Sequence, residues 1–153
     1  METQVFVGDV MIGSLTIISS NSNAKDCALK FKRSKSDELF LKHKGVLTGI
    51  ITKTDVLLKG VCSKNGLKTK SEDIASKKIV SIDATADVQE AAKLMNKHGV
   101  KRLLVTNKGK PVGVIRDMDL VRASPALLDL VAEESRVWKP EYFKRTAEGI
   151  RQP

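Results

Sequence analysis

Apolar and polar residues follow one another along this chain in two rhythms, and the same succession of rhythms occurs twice. In the second half, Val88, Ala91, Ala92 and Met95 stand three and four residues apart, on one face of a predicted helix. Asp87 is its N-cap, with Glu90 three residues on in a capping-box pattern. Lys97, His98 and Gly99 supply a basic last turn and a C′ glycine, so His98 reads as a helix-terminal cation. Ile79, Val80 and Ile82 form a short extended stretch ahead of this helix. Leu103-Leu104-Val105 behind it is a buried strand, Asn107 to Lys110 a turn, and Val112-Gly113-Val114-Ile115 the hairpin partner. Asp117 to Arg122 starts another helix. In the first half Asn23 caps a helix carrying Ala24, Cys27, Ala28 and Phe31. Leu39-Phe40-Leu41 and Val46 to Ile51 make the hairpin, and Thr52 to Leu58 the closing helix.

Sliding the chain against itself by 64 residues aligns the halves without a gap. Asp9 meets Asp73, Ile18 meets Ile82 and Leu39 meets Leu103. Lys44-Gly45 meets Lys108-Gly109, Gly49 meets Gly113, Ile51 meets Ile115 and Asp55 meets Asp119. The expected organisation is a first repeat over 7–58, a linker over 59–70, a second repeat over 71–122 and a basic, aromatic-containing tail over 123–153. One βαββα unit of this length leaves a sheet face open and is marginal alone. The expected fold is therefore α/β of the α+β kind, with two pseudo-twofold-related βαββα units stacked through their sheets.

Composition adds limits. No stretch approaches 18 uncharged apolar residues, so no membrane-spanning helix is expected. Met1 to Gly8 lacks a basic segment followed by an apolar one, and Cys27 and Cys62 have no metal or redox spacing, which together fit a reducing cytoplasm. Cys27 reads as a small buried residue on its helix rather than a reactive thiol. The net charge of +9 favours polyanionic partners: nucleotide phosphates, nucleic acid or acidic headgroups. His43 and His98 lie far apart with no Glu or Cys at metal-ligand spacing, and there is no nucleophile-elbow pattern. Neither a metal site nor a catalytic site is expected.

Chemistry concentrates where each hairpin meets its closing helix. The two junctions are Gly49-Ile50-Ile51-Thr52-Lys53-Thr54-Asp55-Val56 and Gly113-Val114-Ile115-Arg116-Asp117-Met118-Asp119-Leu120. Glycine lets a ligand ring approach the backbone, the start of a helix offers free amides to an anion, and an aspartate there can accept ribose hydroxyls. With a repeat of this length and opening segments Val7-Gly8-Asp9-Val10-Met11 and Ser71-Glu72-Asp73-Ile74-Ala75, the chain resembles tandem cystathionine-β-synthase (CBS) domains over roughly 7–122. The resemblance implies a non-catalytic regulatory module that binds AMP, ADP, ATP or S-adenosylmethionine in clefts between the two sheets and tunes a partner. It assigns ribose to the motif aspartate, and phosphate to the Ser/Thr position and to basic residues at the start of the second strand.

Carried onto this chain, the resemblance makes the sites unequal. The first keeps Gly49, Ile50, Thr52 and Asp55, but its strand start reads Ser36-Asp37-Glu38, whose carboxylates repel phosphate. The second keeps Gly113, Val114 and Asp119, replaces the hydroxyl by Arg116 and offers Lys101 and Arg102, so a phosphorylated ligand is expected there. A homodimer is expected from apolar surface at Val56, Leu57, Leu120 and Val121. A second reading is a nucleic-acid-binding protein, drawn from the lysine surplus and the tail Trp138-Lys139-Pro140-Glu141-Tyr142-Phe143-Lys144-Arg145. A third is an interaction module whose sites have degenerated.

Overall fold

The computed structural model describes residues 4–127. The expectations placed on Trp138, Tyr142, Phe143 and the rest of the tail beyond Leu127 lie outside those residues. Within them, the six main elements of the first half each have a counterpart 64 residues later. Helix α1 is Val7–Val10, strand β1 Ile17–Ser19, helix α2 Ala24–Ser34, strand β2 Glu38–His43, strand β3 Val46–Thr52 and helix α3 Lys53–Asp55. Their counterparts are α4 Ser71–Ile74, β4 Ser81–Asp83, α5 Val88–His98, β5 Arg102–Asn107, β6 Lys110–Arg116 and α6 Asp117–Ala123.

The sequence repeats and the compact units do not coincide. One unit is continuous, Ser14–Ile79; the other joins Met1–Gly13 to Val80–Pro153. Each holds a three-stranded sheet, ordered β1-β2-β3 and β4-β5-β6, with a parallel first pair and an antiparallel second pair. Two-residue turns close both hairpins. Lys44 and Lys108 (φ 47° and 50°) precede Gly45 and Gly109 (φ 83° and 75°), the left-handed pair that matches strand twist.

The exchange of opening segments explains the unit boundaries. In the continuous unit, Ser76 trades two backbone hydrogen bonds with Ile50 on β3, both 2.9 Å. In the discontinuous unit, Ile12 does the same with Val114 on β6, at 2.9 and 3.0 Å. Ahead of Ile12, α1 places fully buried Val7 in the core, with its N–H on the Ala86 carbonyl at 2.8 Å. Ahead of Ser76, α4 buries Ser71, whose hydroxyl donates to the Ser19 and Ser20 carbonyls. So each repeat's opening segment is bridged to the last strand of the other repeat.

The cores follow the helical and strand periods. On α2, Ala24, Cys27 and Phe31 face Leu39, Leu41 and Ile51; on α5, Val88, Ala91, Ala92 and Met95 face Leu103, Val105 and Ile115. Each fully buried Leu or Ile among these contributes about 2 kcal/mol. Alternate residues face the other side of each sheet, which puts Glu38 and Phe40 together on β2, and Arg102 and Leu104 together on β5.

Local details differ from the sequence reading. Asp87 caps α5 by accepting the Gln89 N–H at 2.7 Å, a one-sided cap, whereas the reciprocal box forms at Asn23 and Asp26 of α2. Beyond α3 the first closing helix continues as a π-helix, Val56–Val61, where a regular α-helix was expected. The expected linker over 59–70 is folded into the continuous unit. Gly60 is buried against Ala24, and the Thr69 hydroxyl reaches the Gly66 carbonyl at 2.6 Å. Among the described residues no helix is long and apolar enough to cross a membrane.

Candidate ligand-binding site

The predicted site residues gather at one end of each sheet, because β2 and β3, like β5 and β6, run antiparallel and bring the strand start beside the strand end. Glu38 stands directly opposite Thr52, and Arg102 directly opposite Arg116. Directly opposed residues share a sheet face, so each pair projects to the same side.

In the continuous unit Thr52 and Asp55 close on each other. The Thr52 hydroxyl accepts the Asp55 N–H at 3.2 Å and donates to Asp55 Oδ2 at 2.9 Å, and that oxygen also accepts the Thr52 N–H at 2.9 Å. Lys59 Nζ lies 3.0 Å from Asp55 Oδ1. Burial alone would raise the Asp55 pKa, but the Thr52 N–H, the Lys59 ammonium and the Thr52 hydroxyl outweigh it and hold the carboxyl below its usual range. Asp37 pairs with Lys53 at 3.2 Å, the Ser36 hydroxyl donates to the Glu38 carbonyl, and Glu38 itself is buried. So of the two carboxylates expected to face a phosphate, one is buried and the other is paired with Lys53.

In the discontinuous unit a guanidinium stands where Thr52 has its hydroxyl. Asp119 is buried; its Oδ2 accepts the Arg116 N–H at 3.0 Å and the Arg116 Nε–H at 3.2 Å. Arg122 Nη1 lies 3.8 Å from the other oxygen. Lys101 is exposed and Arg102 half-buried, and the Lys101 carbonyl accepts the Asp117 N–H at 3.0 Å. The sequence reading missed Arg122 and Lys59. Both were legible as cations three and four residues beyond an aspartate in a helical register.

The two glycines do something other than admit a ring. A Cβ on Gly113 would come within 2.3 Å of the Ile12 carbonyl oxygen, and one on Gly49 within 2.9 Å of the Ala75 Cβ. Both positions stay bare so that an opening segment can lie against the sheet. The amides and carbonyls of Ile50 and Val114 are spent on the same segments. What remains at each junction is side-chain chemistry: carboxylate and hydroxyl in one unit, carboxylate and guanidinium in the other.

The comparisons with known proteins find the same twofold repeat. The family model described as "CBS domain" matches residues 7–60 and 72–126. The chain belongs to the CBS-domain family. An uncharacterized protein of Methanopyrus kandleri is 29% identical over 140 residues, covering 90% of this chain and 71% of its own length. Two uncharacterized proteins of Methanocaldococcus jannaschii are 42% and 38% identical over 62 and 66 residues, and there the match spans about a third of their length, 32% and 36%. Among solved structures, a CBS-domain protein of unknown function from Thermoplasma acidophilum superposes with TM-score 0.76 at 18% identity, covering 88% of this chain and 78% of that one. The cytosolic domain of the Mg2+ channel MgtE, solved in complex with ATP, superposes with TM-score 0.63 at 18% identity, covering 77% and 48%.

A groove of about 540 Å³ between β1 and α2, lined by Ile17, Ser19, Leu29, Lys30 and Arg33 among others, contains none of the predicted ligand residues. Cys27 lies buried on α2, where burial and then the charge of Asp26 push its thiol up to about 11; Cys62 is exposed.

Proposed function

We propose that this CBS-domain protein is a regulatory sensor of an adenosine derivative (AMP, ADP, ATP or S-adenosylmethionine), read chiefly at Asp119. The observation that carries the reading is the grouping of Arg102, Arg116 and Asp119 at one sheet end, with Lys101 preceding Arg102 in the chain. In this reading Asp119 accepts ribose hydroxyls, and Lys101, Arg102 and Arg116 meet phosphates. Gly49, Ile50, Thr52, Asp55 and Ser36 form a weaker counterpart, because Asp37 and Glu38 oppose phosphate. The ATP complex of the MgtE domain supports the choice of ligand class. A homodimer and a regulated partner protein complete the proposal. Of the apolar residues expected on the dimer surface, Val56 and Leu120 are buried in the cores, and Leu57 with its neighbour Leu58, 55% and 61% exposed, is left to carry the contact.

A thermal-shift panel of AMP, ADP, ATP, S-adenosylmethionine and NADH, followed by titration calorimetry, tests it. Asp119→Ala should lose about 1.5–3 kcal/mol of binding, roughly ten- to a hundredfold, and Asp55→Ala much less. Equal losses refute the inequality, and a wild type that binds none of the panel refutes the sensor.

The nucleic-acid reading has one observation of its own. Between residues 14 and 79 there are 14 lysines and arginines against six acids, and Lys25, Lys30, Lys32 and Arg33 of α2 are exposed. Salt-sensitive binding of single-stranded oligonucleotide, lost on charge reversal along α2, would favour that reading over the sensor.

A further inference from the structure

The sheet of the continuous unit has two edges, and they are treated differently. On β3 the outer edge is met by Ser76, through its two hydrogen bonds with Ile50. On β1 no strand pairs beyond the edge among the described residues. The parallel ladder to β2 runs through alternate residues: the Thr16 carbonyl accepts the Phe40 N–H at 2.8 Å, and the Ser20 N–H donates to the Lys42 carbonyl at 3.0 Å. The N–H and carbonyl of Ile17 and the N–H of Ser19 therefore turn outward. The Ser19 carbonyl is already taken, by the Ser22 N–H and the Ser71 hydroxyl, both at 3.1 Å. Edge strands are commonly blunted by charge or proline, and Ile17-Ile18-Ser19 carries neither. The matching strand β4 ends on the charged Asp83.

The other wall of the groove is a stripe of α2. Leu29 is 39% exposed there, beside exposed Lys30 and Arg33. Among the described residues neither cation is held in an ion pair. Asp26, nearer the start of α2, already accepts the Asn23 N–H at 3.0 Å. One helical turn, Leu29 to Arg33, advances about 6 Å, close to the roughly 6.6 Å between alternate residues of a strand. An apolar side chain on Leu29 and a carboxylate two residues further along a strand thus fall in step with this wall. A nucleic-acid strand would use the cations, but it would leave the edge groups unpaired and meet the Asp26 carboxylate.

We propose that the groove between β1 and α2 is a docking site for an extended acidic segment of a partner protein, which adds a strand to the open edge of β1. Ile17 and Ser19 supply the backbone pairing, Leu29 receives an apolar side chain, and Lys30 and Arg33 receive the acid. In the discontinuous unit Asp83 repels such a segment, so each chain takes one. The docking site shares no residue with the site at Asp119 and does not rest on the adenosine reading.

Panning a display library of random decapeptides on the full chain, then titrating an enriched peptide by NMR, tests it. Enriched peptides should carry an apolar residue two positions from an acid and should shift the Ile17 and Ser19 amides. The double variant Lys30→Glu with Arg33→Glu should bind the peptide at least about tenfold more weakly. Ile17→Pro, which removes an N–H that pairs with no strand, should weaken it by a similar factor. If Ile17→Pro fails to fold, the charge reversal on the helix surface carries the test. No enriched binder, a binder that leaves both amides unmoved, or an affinity unchanged in either folded variant overturns the docking. A single-stranded oligonucleotide that displaces the peptide and binds Ile17→Pro as tightly as wild type also overturns it. The thermal shift given by ATP should be the same in the charge-reversed variant, so the docking and the adenosine reading fail separately.

Discussion

The continuous and discontinuous units share one backbone and differ in charge. Strand registers, hairpin turns and the bridge from the opening segment recur at the same 64-residue offset. Yet the continuous unit has 14 basic residues against six acidic ones, and the described part of the other has eight against six. At the sheet end the sign reverses: Glu38 faces Thr52 in the unit that is more basic overall, and Arg102 faces Arg116 in the unit that is nearer neutral. Apolar rhythm and turn chemistry fix the scaffold, and the rim is free to vary. Local placement of charge, not the net total, is what separates the two candidate sites.

The largest expected difference lies in the glycines. Gly113→Ala drives a methyl into a backbone carbonyl that is itself hydrogen-bonded to β6, and should cost about 3 kcal/mol or more. Gly49→Ala meets first the side chain of Ala75 and should cost about 1–2 kcal/mol. Urea denaturation measures both, and equal costs would show that the two opening segments are seated alike.

The aspartates come next. Asp119→Ala leaves Arg116 half-buried beside a lost partner, an expected destabilisation of about 2 kcal/mol. Asp55→Ala removes a helix cap and a more exposed lysine pair, about 1 kcal/mol. A larger loss at Asp55 than at Asp119 would reverse the ranking.

Acid titration separates the units further. Asp55 has a native pKa below its unfolded value, so its contribution is complete above the unfolded pKa of about 4. It is lost as pH falls from there through the lowered native value. Asp55→Asn should therefore flatten that part of the stability–pH curve, which chemical denaturation at pH 2–6 can follow. An unchanged acid limb would remove Asp55 as its source.

The smallest perturbation is a probe. Both cysteines lie in the continuous unit, so thiol labelling watches that unit alone. Native protein should label once, quickly, at Cys62, and a second time at Cys27 only on unfolding. In Gly113→Ala the protection of Cys27 should persist where the discontinuous unit loses structure; rapid labelling of both would show that the damage spreads.

Most of this scaffold was legible in the sequence because the repeat let each half confirm the other. The helix carrying Val88, Ala91, Ala92 and Met95 and the Lys-Gly turns announce themselves through local spacing. The exchange of opening segments did not. Ile12 meets Val114 across about a hundred residues, and a four-residue helix such as α1 has too few turns to display a period. Gly49 and Gly113 were visible as special positions, but the sequence does not say what comes close to them: the Ala75 side chain at one and the Ile12 carbonyl at the other. Lys35 takes the left-handed position that Gly99 holds in α5, although lysine gives no warning of it. At the site, the residue types were readable and the pairings were not. Whether Arg116 points at a ligand or at Asp119 depends on a rotamer, which neither composition nor spacing encodes.

The order of synthesis acquires meaning from the bridge between Ile12 and Val114. The continuous unit is fully made once Ile79 has left the ribosome. The segment around Val7 and Ile12 has no β6 to join until Val114 follows, roughly 2–7 s later at about 5–20 residues per second. Through that interval a nascent chain carries a finished unit behind an unplaced leading strip of apolar residues, Val5, Val7 and Val10 among them. Such a strip is a natural hold for a chaperone and a natural point of mispairing between neighbouring chains.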